Sequence, residues 1–211
     1  ASTLTTTNSN VTFSSTVNGG YGLTVAQGSG TATFSGAVGG TTPLTSLSVS
    51  GSGPVAINGG AVTTTGAQSY TGAVTLGAAT TLTTTNSQIT FSNTVNSDGT
   101  ARALTASVGT NEVQFDGIVG GSSGLGAIAI TGALDLNASI NSASSLSVST
   151  TSDLGADVTT SGTQTYSGAT TLSGGNRTLT TTNSNVTFSG TLNSDGGTPR
   201  NLTASLGSGT L

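Results

Sequence analysis

The sequence predicts an all-β chain wound as a right-handed parallel β-helix, a β-solenoid of about eleven rungs of ~20 residues. Three observations carry this expectation. LTTTNSNVTF at residues 4–13 returns as LTTTNSQITF at 82–91 and again in full at 179–188. Apolar and polar residues alternate in short runs, the period of a strand with one face buried. The composition is that of a repetitive β chain: 33 Gly, about a third Ser and Thr, and 5% charged residues in 211. Disorder is a poor reading, because disordered chains carry high net charge and few β-branched residues.

The elements follow in order along the chain. The whole of 1–211 reads as one continuous solenoid segment with long repeats at 1–81, 82–178 and, in part, 179–211. Other echoes support this: GGAVTTTGAQSYTGAVTL at 59–76 matches GADVTTSGTQTYSGATTL at 155–172, and FSGAVGG at 34–40 matches FDGIVGG at 115–121. Strand heads spaced about twenty residues apart are Leu4, Leu23, Leu47, Val62, Leu82, Leu104, Ile128, Leu146, Val158, Leu179 and Leu202. The step from Leu146 to Val158 is unusually short. Within each rung, alternation turns pairs such as Leu23 and Val25, or Leu47 and Val49, inward. The corner after the head is Gly66 or Asn86, and later Gly162 or Asn183. Only Gly and Asn fill it, which predicts a left-handed turn.

A large residue follows each head in a column that holds every Phe and two Tyr: Phe13, Phe34, Tyr70, Phe91, Phe115, Tyr166 and Phe188, with Ile57, Leu136 and Leu154 between them. They are expected to form one stacked core file. A third short strand is marked by Val17, Val38, Val74, Val95, Val119 and Leu192. Three strands and three turns per rung describe a triangular coil. The chain starts and stops part-way through a rung, so the native object is expected to continue beyond both ends, through chain or partner.

Charge and residue types narrow the function. The formal charge is −4 with no basic patch, so no nucleic-acid footprint is present. No apolar run approaches the length of a membrane span. No signal peptide or initiator Met opens the sequence. His, Cys and Lys are absent, which removes most acid–base and nucleophilic schemes. Asp153 and Asp157 are near each other, but four residues apart around a bend they do not suit a glycosidase cleft. Asp98 and Asp195 sit in equivalent NSDG turns. GGSSGLGAI at 120–128 has the glycines of a calcium roll without its Asp. No catalytic residue, cofactor or metal site is expected. Five sequons, at Asn10, Asn137, Asn176, Asn185 and Asn201, are no more than chance provides in such a chain.

These features resemble the filamentous-haemagglutinin-like exoproteins and autotransporter passengers of Gram-negative bacteria, through the ~20-residue rungs and runs such as GGTTPLTSLSVSG and GAQSYTGAVTLGAATTLTTTNSQITF. The resemblance covers the whole chain. It implies a secreted or surface-exposed rod serving attachment, aggregation, or biofilm matrix and filament formation. It also implies self-association end to end or laterally, with a glycan or a host or abiotic surface as ligand. The Asn-Pro-Asn-Gly secretion segment of that group is absent, which fits an internal segment. An alternative is ice binding by an outward Ser/Thr face, for which the residues are Thr5, Thr7, Thr63, Thr65, Thr83, Thr85, Thr180 and Thr182.

Overall fold

The computed structural model describes residues 1–196 and 198–211. Its elements are all strands, and every pairing between them is parallel. The chain winds through about ten coils of three faces each, a parallel β-solenoid. At ~4.8 Å per rung it is a rod about 50 Å long.

The register defines the faces. Inward residues on the first face run Leu4, Val25, Val49, Tyr70, Phe91, Phe115, Leu136, Leu154, Leu172 and Ser194. On the second face they run Val11, Ala32, Val55, Val74, Val95, Val119, Ile140, Val158, Leu179 and Ala204. On the third they run Val17, Val38, Val62, Leu82, Ala106, Ile130, Val148, Tyr166 and Phe188. The three files meet in one continuous apolar core. β-branched residues dominate the second and third files, where a pleated surface suits a branched Cβ, while Leu and aromatic side chains fill most of the first.

Two sequence expectations are corrected here. The heads do not share a face: Leu4, Leu23 and Leu47 lie on the first, Val62 through Leu146 on the third, and Val158, Leu179 and Leu202 on the second. The steps Leu47 to Val62 and Leu146 to Val158 each cover two faces instead of three. Ten apparent turns are therefore nine and a third, and eleven rungs become about ten coils. The true coil length varies, from 17 residues between Ala143 and Thr160 to 25 between Leu179 and Ala204. The aromatic file divides in the same way into three short stacks. Phe13 stacks on Phe34 at 5.0 Å on the second face. Tyr70, Phe91 and Phe115 stack at 5.2 and 5.1 Å on the first, and Tyr166 on Phe188 at 5.0 Å on the third.

The repeated ten-residue stretch has a geometric explanation. Residues 4–13 turn the corner from first to second face, 82–91 from third to first, and 179–188 from second to third. One corner design thus serves all three corners. Asn8, Asn86 and Asn183 adopt φ of 59°, 51° and 52°. Their side-chain oxygens accept the N–H of Ser29, Thr110 and Ser208 on the next coil, at 2.9, 3.1 and 3.0 Å. The inward Thr6, Thr84 and Thr181 hydroxyls close the same turn on the carbonyls of Ser9, Ser87 and Ser184. The left-handed expectation holds for these Asn but not for Gly66 and Gly162, which keep ordinary φ. Their need is close approach: a Cβ would lie 2.4 Å from the Thr45 carbonyl oxygen and 2.6 Å from that of Ser144.

Candidate functional site

The candidate site is the outer surface, where an open apolar pocket lies among Phe13, Val17, Tyr21 and Leu44 and a more polar groove lies beside Gly99 and Ala101. The eight Thr proposed as one face do not share one. Thr5 lies on the first face and Thr7 on the corner after it. Thr63 and Thr83 pair in register on the third face, with Thr65 and Thr85 stacked through a backbone bond at the following corner. Thr180 lies on the second face, with Thr182 on the corner beyond. The cause is the drift of the heads across faces described above.

A hydroxyl lattice does exist, in a different register. On the first five coils of the first face the outward positions are Thr3 and Thr5, Thr24 and Ala26, Ser48 and Ser50, Ser69 and Thr71, Thr90 and Ser92. All are exposed or half-buried, and the hydroxyls of Ser69 and Ser48 bond at 3.2 Å across coils. The sequence signal was the polar phase of each strand. It was legible only once the first face could be told from the third.

Above that lattice the same face turns acidic. Gln114, Asp135 and Asp153 stack in register, and Asp116 and Asn137 flank them. Asn137 donates one bond each to Asp116 and Asp135, at 3.0 and 3.2 Å. Gln88 donates to Glu112 and Gln114 at 2.8 and 2.9 Å. Partial burial pushes the Asp135 carboxyl above its usual range, opposed by the Asn137 bond and assisted by the charges of Asp153 and Asp116. A raised carboxyl costs stability once pH rises above its unfolded value, since the folded chain must then hold an unfavourable charge. Asp135→Asn is therefore expected to raise the melting temperature slightly at pH 7, by about a degree once solvent screening of this largely exposed carboxyl is allowed for, an effect that fades below about pH 4. Thermal melts at both pH values check this. Among the described residues no three acids converge closely enough to hold a metal ion.

The remaining acids are structural. Asp157 accepts the Thr178 N–H at 2.8 Å at a corner, apart from Asp153 on the first face. Asp98 pairs with Arg102 at 2.8 Å and Asp195 with Arg200 at 2.9 Å. The Arg hydrogen bond holds each of these carboxyls below its usual range. In both loops a Ser just before the Asp, Ser97 or Ser194, accepts the N–H of that Arg. The 96–103 loop borders a shallow groove lined by Ser123, Ser142, Ser144 and Ser161. Three sequon side chains already serve the coil: Asn10, Asn176 and Asn185 accept N–H groups of Thr31, Asn201 and Thr210.

Sequence reasoning missed one feature, a buried polar cluster built twice. Gln68 lies inside and donates to Val62 O at 3.2 Å, Thr64 Oγ1 at 3.3 Å and Thr83 O at 3.0 Å, while the Tyr70 hydroxyl donates to Gln68 Oε1 at 3.0 Å. Gln164, Thr160, Val158, Thr180 and Tyr166 repeat it on another face. The signal was a Gln in the inward phase, two residues before Tyr, in both copies.

No family model, curated protein or solved structure matches this chain. No helix of the described residues is long and apolar enough to cross a membrane.

Proposed function

We propose that this chain is a structural and adhesive segment of an extracellular fibre, of the kind deployed by Gram-negative bacterial surfaces for attachment, aggregation or matrix formation. The observation that carries the reading is the reuse of one corner design on all three faces. Such a coil can be continued corner by corner, and it presents long hydroxyl-covered sides whose few charges are gathered mainly in the acidic stretch of the first face. Sparsely charged sides of this kind are poorly protected against lateral association. A fibre uses that property, and a soluble enzyme is harmed by it. The groove beside the 96–103 loop, with hydroxyls on several coils, is the place where a glycan would be tested first.

Electron microscopy of untreated native material tests the reading. Long fibres of uniform width, with a ~4.8 Å axial repeat by diffraction, are expected. Separate short rods at all concentrations would overturn it.

One observation favours a second reading, ice binding. The outward pairs on the first five coils of the first face form a flat grid of hydroxyls interrupted only by Ala26. Thermal hysteresis that is abolished by Ser48→Lys would support it. Unaltered ice growth in the presence of the parent protein would remove it.

A further inference from the structure

The repeated corner belongs to a longer unit that the chain contains twice. SLSVS stands at 46–50 and again at 145–149. After it come VTTTGAQSYTGAVTL at 62–76 and VTTSGTQTYSGATTL at 158–172, then LTTTNSQITF and LTTTNSNVTF, then LTAS at 104–107 and 202–205. The two copies stack on themselves in the same register, pairing for pairing. Val62 lies under Leu82 and Val158 under Leu179. Gln68 lies under Ile89 and Gln164 under Val186. Val74 lies under Val95 and Thr170 under Leu192. Leu82 lies under Ala106 and Leu179 under Ala204. Each element of the upper copy nevertheless sits one face behind its counterpart: Gln68 is on the first face and Gln164 on the third.

The surface on which each copy rests is shared as well. Gln68 and Tyr70 stand over Leu47 and Val49, and Gln164 and Tyr166 over Leu146 and Val148. Leu47 and Leu146 donate their N–H to Ala67 O and Thr163 O at 3.1 and 3.0 Å. Thr71 and Ser167 donate to Val49 O and Val148 O at 2.9 and 3.0 Å. The upper copy therefore already rests on Leu-Ser-Val-Ser, the sequence that supports the lower one. We infer that the two copies are interchangeable in the rod, so that a chain lacking Val62–Asp157 closes into a continuous, shorter solenoid in which everything above the junction is turned forward by one face.

In that rod Gln164 and Tyr166 move from the third face to the first and cover Leu47 and Val49. Thr170 and Leu172 cover Val55 and Ile57, as Val74 and Leu76 do in the parent. Inward residues stay inward, because the junction keeps the phase of the strand. Each coil contacts only its neighbours, so the face change above the junction leaves the coils below it undisturbed. What changes is the surface. Glu112, Asp116, Asp135 and Asp153 all lie in the removed segment, and Asp195, Arg177 and Arg200 remain as the charged side chains. The Asp195–Arg200 loop comes to the corner between the second and third faces, where Asp98 and Arg102 stand in the parent. Loss of one unit thus alters length, charge and facing in a single step, which makes the repeat a device for varying the exposed surface. The inference goes beyond the fibre reading and holds whether or not the rods assemble.

The test is the full chain with Val62–Asp157 deleted, so that Val158 follows Ala61. Circular dichroism melts are expected to show one cooperative transition. NMR is expected to show the Tyr166 ring against the Val49 methyls, a contact the parent lacks because Tyr166 there lies over Val148. A cysteine pair reads the same contact covalently, since the parent has no Cys. The Ser48 and Ser69 hydroxyls are 3.2 Å apart, and Thr165 is the upper counterpart of Ser69. Ser48→Cys with Thr165→Cys is expected to form a disulfide within one chain of the shortened rod. In the parent it is expected to form none, because the two positions lie on different faces several coils apart, beyond the ~7 Å that a disulfide bridges. Deleting Val158 as well slips the junction strand by one residue and is expected to lower the melting temperature relative to the matched deletion. The inference is overturned if the matched deletion loses its cooperative transition, if it folds with Tyr166 away from Val49, or if the slipped junction melts as high.

Discussion

Phe91→Asp is expected to abolish cooperative folding of the middle coils. Phe91 is fully buried between Tyr70 and Phe115, with ring planes inclined by 13° and 6°. Deleting a buried Phe ring costs about 3–5 kcal/mol by itself. The substitution also places a carboxylate in a core where the neighbouring inward side chains offer no cation, which adds several kcal/mol or forces the group to stay protonated. A domain of ordinary stability has only about 5–15 kcal/mol in total. Because each coil contacts only its neighbours, the damage spreads along the rod from coil to coil. Phe91→Leu keeps an apolar group in the stack and is expected to lower the melting temperature without abolishing the transition. Circular dichroism melts of the two variants decide the matter. Parent-like β-structure and melting in Phe91→Asp would mean that residue 91 does not face the core.

The same residue shows how much was legible in advance. That Phe91 points inward, and that strands alternate around short corners, follows from period-two patterning, which any one coil displays. Its neighbours were also foreseen: Tyr70 below and Phe115 above lie in the large-residue column on one face. The phase between distant coils was not legible, because the repeat is not commensurate with the turn. From residue 4 to 82 the chain makes three and two-thirds turns, and from 82 to 179 four and two-thirds, so matching letters fall on different faces. Alignment by letters therefore merged three faces into one, and Thr5, Thr83 and Thr180 into a single plane. The variable coil length concealed the slip, since an 18-residue coil between Leu134 and Ser152 is close to the distance between adjacent heads. The inward Gln68 was missed for a related reason. Polar letters were assigned to the outside, and a polar residue is compatible with the core only where its neighbours satisfy it, which is a property of three coils together.

Gln68→Leu is the second large effect, expected at about 2–4 kcal/mol despite a nearly unchanged volume. Leu cannot accept from the Tyr70 hydroxyl or donate to the Val62 carbonyl, and both groups are buried. Burial pushes the Tyr70 phenol far above its usual range, so the hydroxyl remains a neutral donor in need of an acceptor throughout the folded pH range. Tyr70→Phe alone removes one bond and leaves Gln68 Oε1 unpaired, a loss of about 1 kcal/mol. In the double variant the stranded hydroxyl is gone as well. Its cost is expected to fall short of the sum of the single variants by roughly 0.5 kcal/mol or more, the sign of a shared network. Urea denaturation of the four chains measures that difference, and strict additivity would show that the bonds contribute independently. The same cycle at Gln164 and Tyr166 should give the same coupling, although that cluster lies on another face. Equal couplings would establish that each coil is stabilised by the coils directly below and above it and is indifferent to its position around the axis. That independence is what allows one corner to be written three times in a single chain.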